Sequence, residues 1–452
     1  MLQDTIAALA TPVAPAGLGV IRISGKDAIA VAARVFRGKD LTALDGYHAA
    51  FGHVLDDEGD IDECVALVFR APHSYTGEDT VEFSCHGGVY LLKRVLRAVY
   101  AAGARPAEAG EFTRRAFLNG KMDLTGAEAV MDLIAADGNL AARTALAAKS
   151  GATFRCLDGV KSALLAVAAQ YSAYIDYPDD DIPELSDAAL AQTLADCITA
   201  LRDLLANFDA GRVLREGVDT AIVGSPNVGK STLMNLLAGC ERSIVTPIAG
   251  TTRDIVEETV KLGEVTLRLS DTAGIRDTGD TVEAIGVQRA KERLQNAALV
   301  LAVFDGSTPL TDADRMLIAA LENAPAIAII NKTDLAQTIR REEIQAVFPH
   351  VIDLSAKDGA GLSALTDAVG ELTGVAHLQA DTLLLANERQ RVLAQTALTA
   401  LEEAAAALRD GIALDAVSVC VDSAVCAILS LTGERTTDAV VDEVFSRFCV
   451  GK

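Results

Sequence analysis

The sequence has no surplus of basic residues: 40 Lys and Arg stand against 63 Asp and Glu, a formal net charge of −23 at pH 7. Gripping a phosphate backbone needs a local excess of Lys and Arg. The chain as a whole does not offer one, so a nucleic-acid partner has to be held by a small patch or with the help of a second protein. Nor is there a charge-free apolar run of the roughly 18 residues that a membrane helix needs. Residues 5–21 are uncharged, but Pro12, Pro15, Gly17 and Gly19 break them. The opening Met1-Leu-Gln-Asp4 carries no basic flank of the signal-peptide kind. The eight cysteines (Cys64, Cys85, Cys156, Cys197, Cys240, Cys420, Cys426 and Cys449) include no C-x-x-C pair, which speaks against a zinc site or a redox pair. In a reducing compartment most of them are small buried hydrophobes. These absences lead us to expect a cytoplasmic protein without a membrane partner, and no internal repeat is evident.

What is present is enough apolar material for real cores. Of 452 residues, 50% are hydrophobic and 23% charged, and the length fits roughly two to four domains. Residues 1–118 mix short strand-like runs, such as 19–24 and 64–69, with Gly and Pro, and show helical periodicity at 90–102. They predict a compact α/β or α+β domain. Residues 119–215 turn Ala- and Leu-rich with helical spacing, interrupted by an acidic, proline-containing loop at 176–184. Residues 216–376 alternate strand, loop and helix, the signature of a mostly parallel sheet. Residues 377–452 are helical again. The simplest architecture makes 216–376 an insertion and the flanking helices one discontinuous bundle, since domain termini are often close together.

The inserted segment carries a nucleotide site. Gly224-Ser-Pro-Asn-Val-Gly-Lys-Ser231 matches G-x-x-x-x-G-K-[ST], follows the strand-like run 220–223 and opens a helix at 231–238. Its glycines let backbone N–H groups face phosphate, and the helix N-terminus adds positive potential. Lys230 then reaches the β- and γ-phosphates and Ser231 ligates magnesium. Asp271-Thr-Ala-Gly274 follows the strand 265–269. There Asp271 holds magnesium through water and the Gly274 amide senses the γ-phosphate. Asn331-Lys-Thr-Asp334 follows the apolar strand 326–330. The Asp334 carboxylate accepts both N–H groups of guanine's Watson–Crick edge, and a site built for such bonds rejects the wrong base by factors on the order of 10⁴. Ser355-Ala-Lys357 closes the base pocket. Between them Gly250-Thr-Thr-Arg-Asp254 stands in the place of a first switch loop, with Thr252 the natural second magnesium ligand. The GTP-binding residues expected from these motifs are Asn227, Val228, Gly229, Lys230, Ser231 and Thr232, then Gly250, Thr251 and Thr252, then Asp271, Thr272, Ala273 and Gly274, and finally Asn331, Lys332, Asp334, Ser355, Ala356 and Lys357; Thr246, Pro247, Ile248 and Ala249, just ahead of the switch loop, are expected to join them by the family resemblance given below. These four elements in this order define a Ras-like P-loop G domain.

One residue type is missing from the site. Ile275 stands where many small GTPases carry a glutamine that orients the attacking water. A water-positioning group has to come from elsewhere: Glu283 acts through a water, or is an ordinary solvated loop carboxylate. Extra positive charge on the β–γ bridge comes either from an arginine (Arg253 or Arg276) or from a bound monovalent cation, for which the Asn227 side-chain oxygen is a ligand.

The combination of Pro226-Asn-Val-Gly-Lys-Ser231, Ile248-Ala-Gly-Thr-Thr-Arg-Asp254, Asp271-Thr-Ala-Gly-Ile-Arg276 and Asn331-Lys-Thr-Asp334 resembles the potassium-dependent GTPases that act as dimers. The flanks sharpen this: Ile6-Ala-Ala-Leu-Ala-Thr-Pro12, Gly19-Val-Ile-Arg-Ile-Ser-Gly25, Ser74-Tyr-Thr-Gly-Glu-Asp79, His86-Gly-Gly88, Gly110-Glu-Phe-Thr-Arg-Arg-Ala-Phe-Leu-Asn119 and the ending Phe448-Cys-Val-Gly-Lys452. Across its whole length the chain resembles the bacterial tRNA uridine-5-carboxymethylaminomethyl modification GTPases, the MnmE or TrmE family. The resemblance implies an N-terminal folate-binding α+β domain that makes a constitutive homodimer, a discontinuous helical domain and G domains that meet across potassium. By position it implies Asn227 and Thr251 side chains with the Thr246 and Ile248 carbonyls as potassium ligands, Glu283 as the water-orienting catalytic acid, and Arg22, Glu82, Lys121 and Lys452 as contacts to a 5-formyl- or 5,10-methylene-tetrahydrofolate. Cys449 in the family's C-x-G-K ending would take a catalytic part; Val450 replaces the more usual Ile there. His86 beside Cys85 does not make a Cys–His pair, because adjacent strand residues point to opposite faces.

The function so implied is modification of carbon 5 of the wobble uridine of tRNA with an aminomethyl or carboxymethylaminomethyl group, performed with an FAD-containing partner in a heterotetramer. Two alternatives stay open: a regulatory GTPase of ribosome assembly or stress signalling, and a folate-dependent aminomethyl enzyme with a non-RNA substrate.

Overall fold

The structure is a computed structural model and describes residues 4–176, 186–239, 258–270, 297–412, 414–446 and 448–451. The chain divides into two compact units. One comprises Met1–Met131, Ala148–Ile198 and Val392–Lys452, the other Asp132–Ala147 and Thr199–Arg391.

In the first unit a seven-stranded sheet is built from β1 (Ile6–Leu9), β2 (Ala16–Ser24), β3 (Phe36–Gly38), β4 (His48–Asp56), β5 (Gly59–Phe69), β6 (Thr80–Gly87) and β7 (Arg105–Pro106), in the order β3-β4-β5-β6-β2-β1-β7. Period-2 alternation sorts its side chains. Ile21, Ile23, Val81 and Phe83 bury into one core with residues of the helices Ala28–Arg34 and Val89–Ala101. The opposite face of β1 carries Ile6 and Ala8 into a second, smaller core with Ala107 and Phe112, against which Tyr75 packs. Cys85 is 1% exposed while its neighbour His86 points outward and pairs with Asp62 at 2.8 Å, so the two do sit on opposite faces of the strand.

Helices complete this unit. Leu124, Ala127 and Val130 of Leu124–Ala135 bury with Val441, Phe445 and Phe448 near the end of the chain. Among the described residues one helix, Leu414–Thr432, is long and apolar enough to cross a membrane by length and composition. Here it packs along the helix Ala152–Asp176 with Val417, Val421, Ala424 and Ile428 buried. An ion cluster centred on the buried Arg115 and Glu111 ties the sheet to the helix Glu111–Leu118. Arg115, 1% exposed, donates to the Asp4 carboxylate and carbonyl at 2.8 Å, to Glu111 at 3.0 Å and to Glu78 at 3.2 Å, and Arg105 joins it through Glu111 and Asp4.

The second unit holds a six-stranded sheet of β8 (Val218–Val223), β9 (Glu258–Leu262), β10 (Val265–Ser270), β11 (Leu299–Asp305), β12 (Ala326–Asn331) and β13 (His350–Asp353), in the order β13-β12-β11-β8-β10-β9. All neighbouring pairs are parallel except the β9–β10 hairpin. The central strands are continuous apolar runs because both faces are covered. Leu299, Leu301 and Val303 enter one core with Leu233 and Leu365, while Val300, Ala302 and Phe304 enter the other with Ile318 and Phe348. Residues 132–147 belong to this unit: Ala141 joins the first of these cores, and the Leu140 amide donates to Glu264, at the hairpin turn, at 3.2 Å.

Candidate functional site

The parallel strands aim their carboxyl ends at one rim, the place where open α/β sheets bind ligands. From the end of β8 the chain enters Gly224, whose φ of +152° suits glycine and where a Cβ would stand 2.3 Å from the Val303 carbonyl. The loop ends at Gly229, φ +101°, which leads into the helix Lys230–Ala238. A Cβ at Gly229 would meet the Asn331 amide nitrogen at 2.2 Å. Both glycines are therefore required by close approach, not only by turn geometry.

Lys230 donates to the carbonyls of Gly224 and Ser225, both at 2.8 Å, and burial pushes its ammonium below its ordinary range. Two of its three protons are thus held by the loop and the third is left for a phosphate. Ser231 and Thr232 open the helix in exposed positions, and Val228 is buried beneath the loop.

At the end of β12, Asn331 is 2% exposed and ties two segments together. Its amide donates to the Val228 carbonyl at 2.9 Å, and its oxygen accepts the Ala356 amide at 3.0 Å. Lys332, at the positive φ of +64°, donates to the Asn227 carbonyl at 2.9 Å and to Asp305 at 2.6 Å. Burial raises the Asp305 carboxyl, but Lys332 and Ser307 outweigh it and hold it below the usual carboxylate range. Asp334 is exposed, and the Ser355 hydroxyl lies 3.3 Å from its Oδ1 and 3.0 Å from Asp358. Lys357 is exposed beside it. The structure thus brings together the phosphate loop 224–231, the base segment 331–334 and the segment 355–357.

Thr246, Pro247, Ile248, Ala249, Gly250, Thr251, Thr252, Asp271, Thr272, Ala273, Gly274, Glu283 and Lys452 lie outside the described residues, as do Arg253, Arg276 and Cys240. Of the four expected potassium ligands only Asn227 is described: it is exposed at φ +62°.

The first unit carries a second constellation. Arg22 on β2 is the cross-strand partner of Glu82 on β6 and donates to it through Nε at 2.7 Å. Its guanidinium lies over the rings of Tyr75 and Phe112, 5.3 and 5.6 Å from their centroids. Its Nη1 is buried with no hydrogen-bond partner among the described residues, a donor of the kind that a ligand satisfies. Lys121 is exposed and donates to the Pro72 carbonyl at 3.0 Å. The terminal segment comes to the same sheet: Val450 bridges Ala109, the Gly110 amide points to the Cys449 carbonyl at 3.4 Å, and Gly451 lies against Leu9 of β1. Leu9 is paired with Ile21, the residue before Arg22. Cys449 itself is exposed. Tyr75 and Phe112, which stack on Arg22, carry no sequence signal of their own beyond the motifs that contain them.

A P-loop module with a guanine-type base segment, set into a chain that also holds an α+β sheet domain and helices, defines a multidomain GTPase. Residues 5–121 match the family model of the GTP-binding protein TrmE N-terminus and residues 124–449 that of the MnmE helical domain. The chain is 41% identical to the tRNA modification GTPase MnmE of Streptococcus thermophilus over 99% of this chain and 98% of that relative. It is 39% identical to the protein of the same name from Alkaliphilus oremlandii, with both chains covered in full. Among solved structures it is similar to the G domain of the T. maritima FeoB iron transporter, 26% identical over 34% of this chain and 98% of that one, with a TM-score of 0.26. The chain belongs to the MnmE family of tRNA modification GTPases.

Proposed function

We propose that the protein is a potassium-activated GTPase that works with an FAD-containing partner on tRNA, building an aminomethyl or carboxymethylaminomethyl group on carbon 5 of the wobble uridine. The observation that carries the folate part is the Nη1 of Arg22, buried and without a hydrogen-bond partner among the described residues. Fixed by Glu82 and the two rings beneath it, this nitrogen is a preset donor for a carboxylate or a pterin carbonyl. Glu82, Lys121 and Lys452 would complete the binding set. When bound, a tetrahydrofolate derivative (5-formyl or 5,10-methylene) supplies the one-carbon unit. Cys449 would act beside it as the catalytic thiol.

In the G domain Lys230 would stabilise charge on the transferring phosphoryl group, Ser231 and Thr252 would hold magnesium, and Glu283 would orient the attacking water. Asn227, Thr246, Ile248 and Thr251 would hold potassium, whose charge would then take the place of an arginine finger. The division we propose is 1–118 for folate binding and homodimer formation, 119–215 and 377–452 for the helical domain, and 216–376 for the G domain. The net charge of −23 fits a cytoplasmic complex in which the flavoprotein supplies most of the grip on tRNA.

The test is a count of modified wobble uridine in a strain lacking the gene, where loss is expected and unchanged modification contradicts the reading. Calorimetry with 5-formyl-tetrahydrofolate isolates the folate part. Binding is expected for the wild-type chain and its loss in Arg22→Ala, whereas no binding by the wild type favours the regulatory alternative.

A further inference from the structure

Ser225, the second residue of the phosphate loop, donates its hydroxyl to Asp314 Oδ1 at 2.6 Å. Asp314 sits in the first turn of the helix Asp312–Ala320 and is 7% exposed. That helix begins with a capping box in which Thr311 and Asp314 satisfy each other's backbone amides. The box uses only one carboxylate oxygen: Oδ2 accepts the Thr311 amide at 2.9 Å and its hydroxyl at 2.7 Å. Oδ1 is left over, and it is given to the phosphate loop.

A buried carboxylate near a site for polyanionic phosphates opposes ligand binding unless it is neutralised by donors and does other work. Asp314 has three donors and lies at a helix N-terminus, where negative charge is favoured. Burial raises its carboxyl, but the Ser225 hydroxyl first, then Thr311, outweigh burial and hold it below the usual range.

We propose that Asp314, acting through Ser225, is a positioning residue for the phosphate-gripping lysine. The inference rests on the reading of residues 224–231 as the phosphate loop. Ser225 is bonded at both ends. Its hydroxyl is anchored to Asp314 and its carbonyl accepts Lys230 Nζ at 2.8 Å. The rest of the loop is fixed by other contacts: Gly224 against Val303, the Asn227 carbonyl by Lys332, and the Val228 carbonyl by Asn331. Ser225 is the place where the helix Asp312–Ala320 takes hold. With its hydroxyl tied, the peptide that receives Lys230 cannot rotate, so the ammonium is delivered to one position before nucleotide arrives. Without the tie, binding has to order that turn.

The test uses the full chain and a fluorescent GDP analogue, with GTP turnover measured in parallel. Ser225→Ala is expected to raise the dissociation constant and KM roughly tenfold, the worth of one charge-assisted hydrogen bond, while kcat falls less than twofold. Ser225→Thr, which keeps the hydroxyl, is expected to restore affinity. Asp314→Ala is expected to weaken binding to the same extent and also to lower Tm, because it removes the helix cap as well. The double variant Ser225→Ala/Asp314→Ala is expected to bind no more weakly than either single variant, the signature of two residues acting as one. Ser225→Ala binding within twofold of wild type, or losses that multiply in the double variant, overturn the proposal. A wild-type chain that binds no guanine nucleotide overturns the phosphate-loop reading itself, so the two failures are distinct.

Discussion

Asn331 does at the residue scale what the fold does at large: it joins the base segment to both neighbouring loops with one amide group. Replacing it with alanine leaves the buried Val228 carbonyl and Ala356 amide without their partners. Each buried unpaired group costs about 1–3 kcal/mol. Asn331→Ala is therefore expected to lower thermal stability and to weaken guanine-nucleotide binding by more than tenfold, and a melt together with a nucleotide titration checks both. In the first unit the corresponding cluster is ionic. Burial pushes the Glu111 carboxyl up, but Arg105, the Glu108 amide and Arg115 outweigh it and leave it below its ordinary value. A depressed folded-state carboxyl contributes stability that is complete above its unfolded pKa and is lost as pH falls through the lower folded value. The Tm of the wild-type chain is thus expected to drop as pH is lowered through about 4.3, the ordinary Glu value, and on downward. Arg105→Ala should make Tm lower at neutral pH and flatter across that acid range; an unchanged slope would contradict this assignment.

Elements were legible from the sequence where local pattern decides them. The strands before residues 224, 271 and 331, the helix that follows Gly229 and the helices near the end of the chain all follow from apolar spacing and glycine placement. The Arg115 cluster was not legible, because its partners Asp4 and Arg115 lie 111 residues apart and only the closed sheet brings them together. Nor was Asp314, whose capping box is local but whose spare oxygen meets a serine 89 residues away. The packing of Ala141 into the core of the second sheet and the bond from Leu140 to Glu264 were not legible either, because a helical stretch reads alike whichever core receives it. The terminal segment is an element whose place rests on one glycine. Gly451 has φ +103°, and a Cβ there would come within 2.0 Å of the Leu9 carbonyl. Gly451→Ala is expected to lift residues 448–451 off β1, break the Ala109–Val450 bridge and speed amide exchange at Gly110. Unchanged exchange would show that the tail is held elsewhere.

On the scale of the whole molecule, a chain with net charge −23 joins a P-loop GTPase module to a sheet domain in which, among the described residues, the Arg22 Nη1 has no hydrogen-bond partner. GTP hydrolysis does not itself perform chemistry on a base. In the proposed account it opens and closes facing G domains of a homodimer, and the helical domain carries that motion to the folate site. The account therefore stands on pairing of the nucleotide modules. The most direct measurement is the distance between spin labels on the two G domains of the dimer, with GDP and aluminium fluoride, in potassium and then in sodium. The account predicts a shortened distance in potassium only, and no shortening in either salt for Asn227→Ala. An unchanged distance in potassium, or equal shortening in sodium, would contradict it.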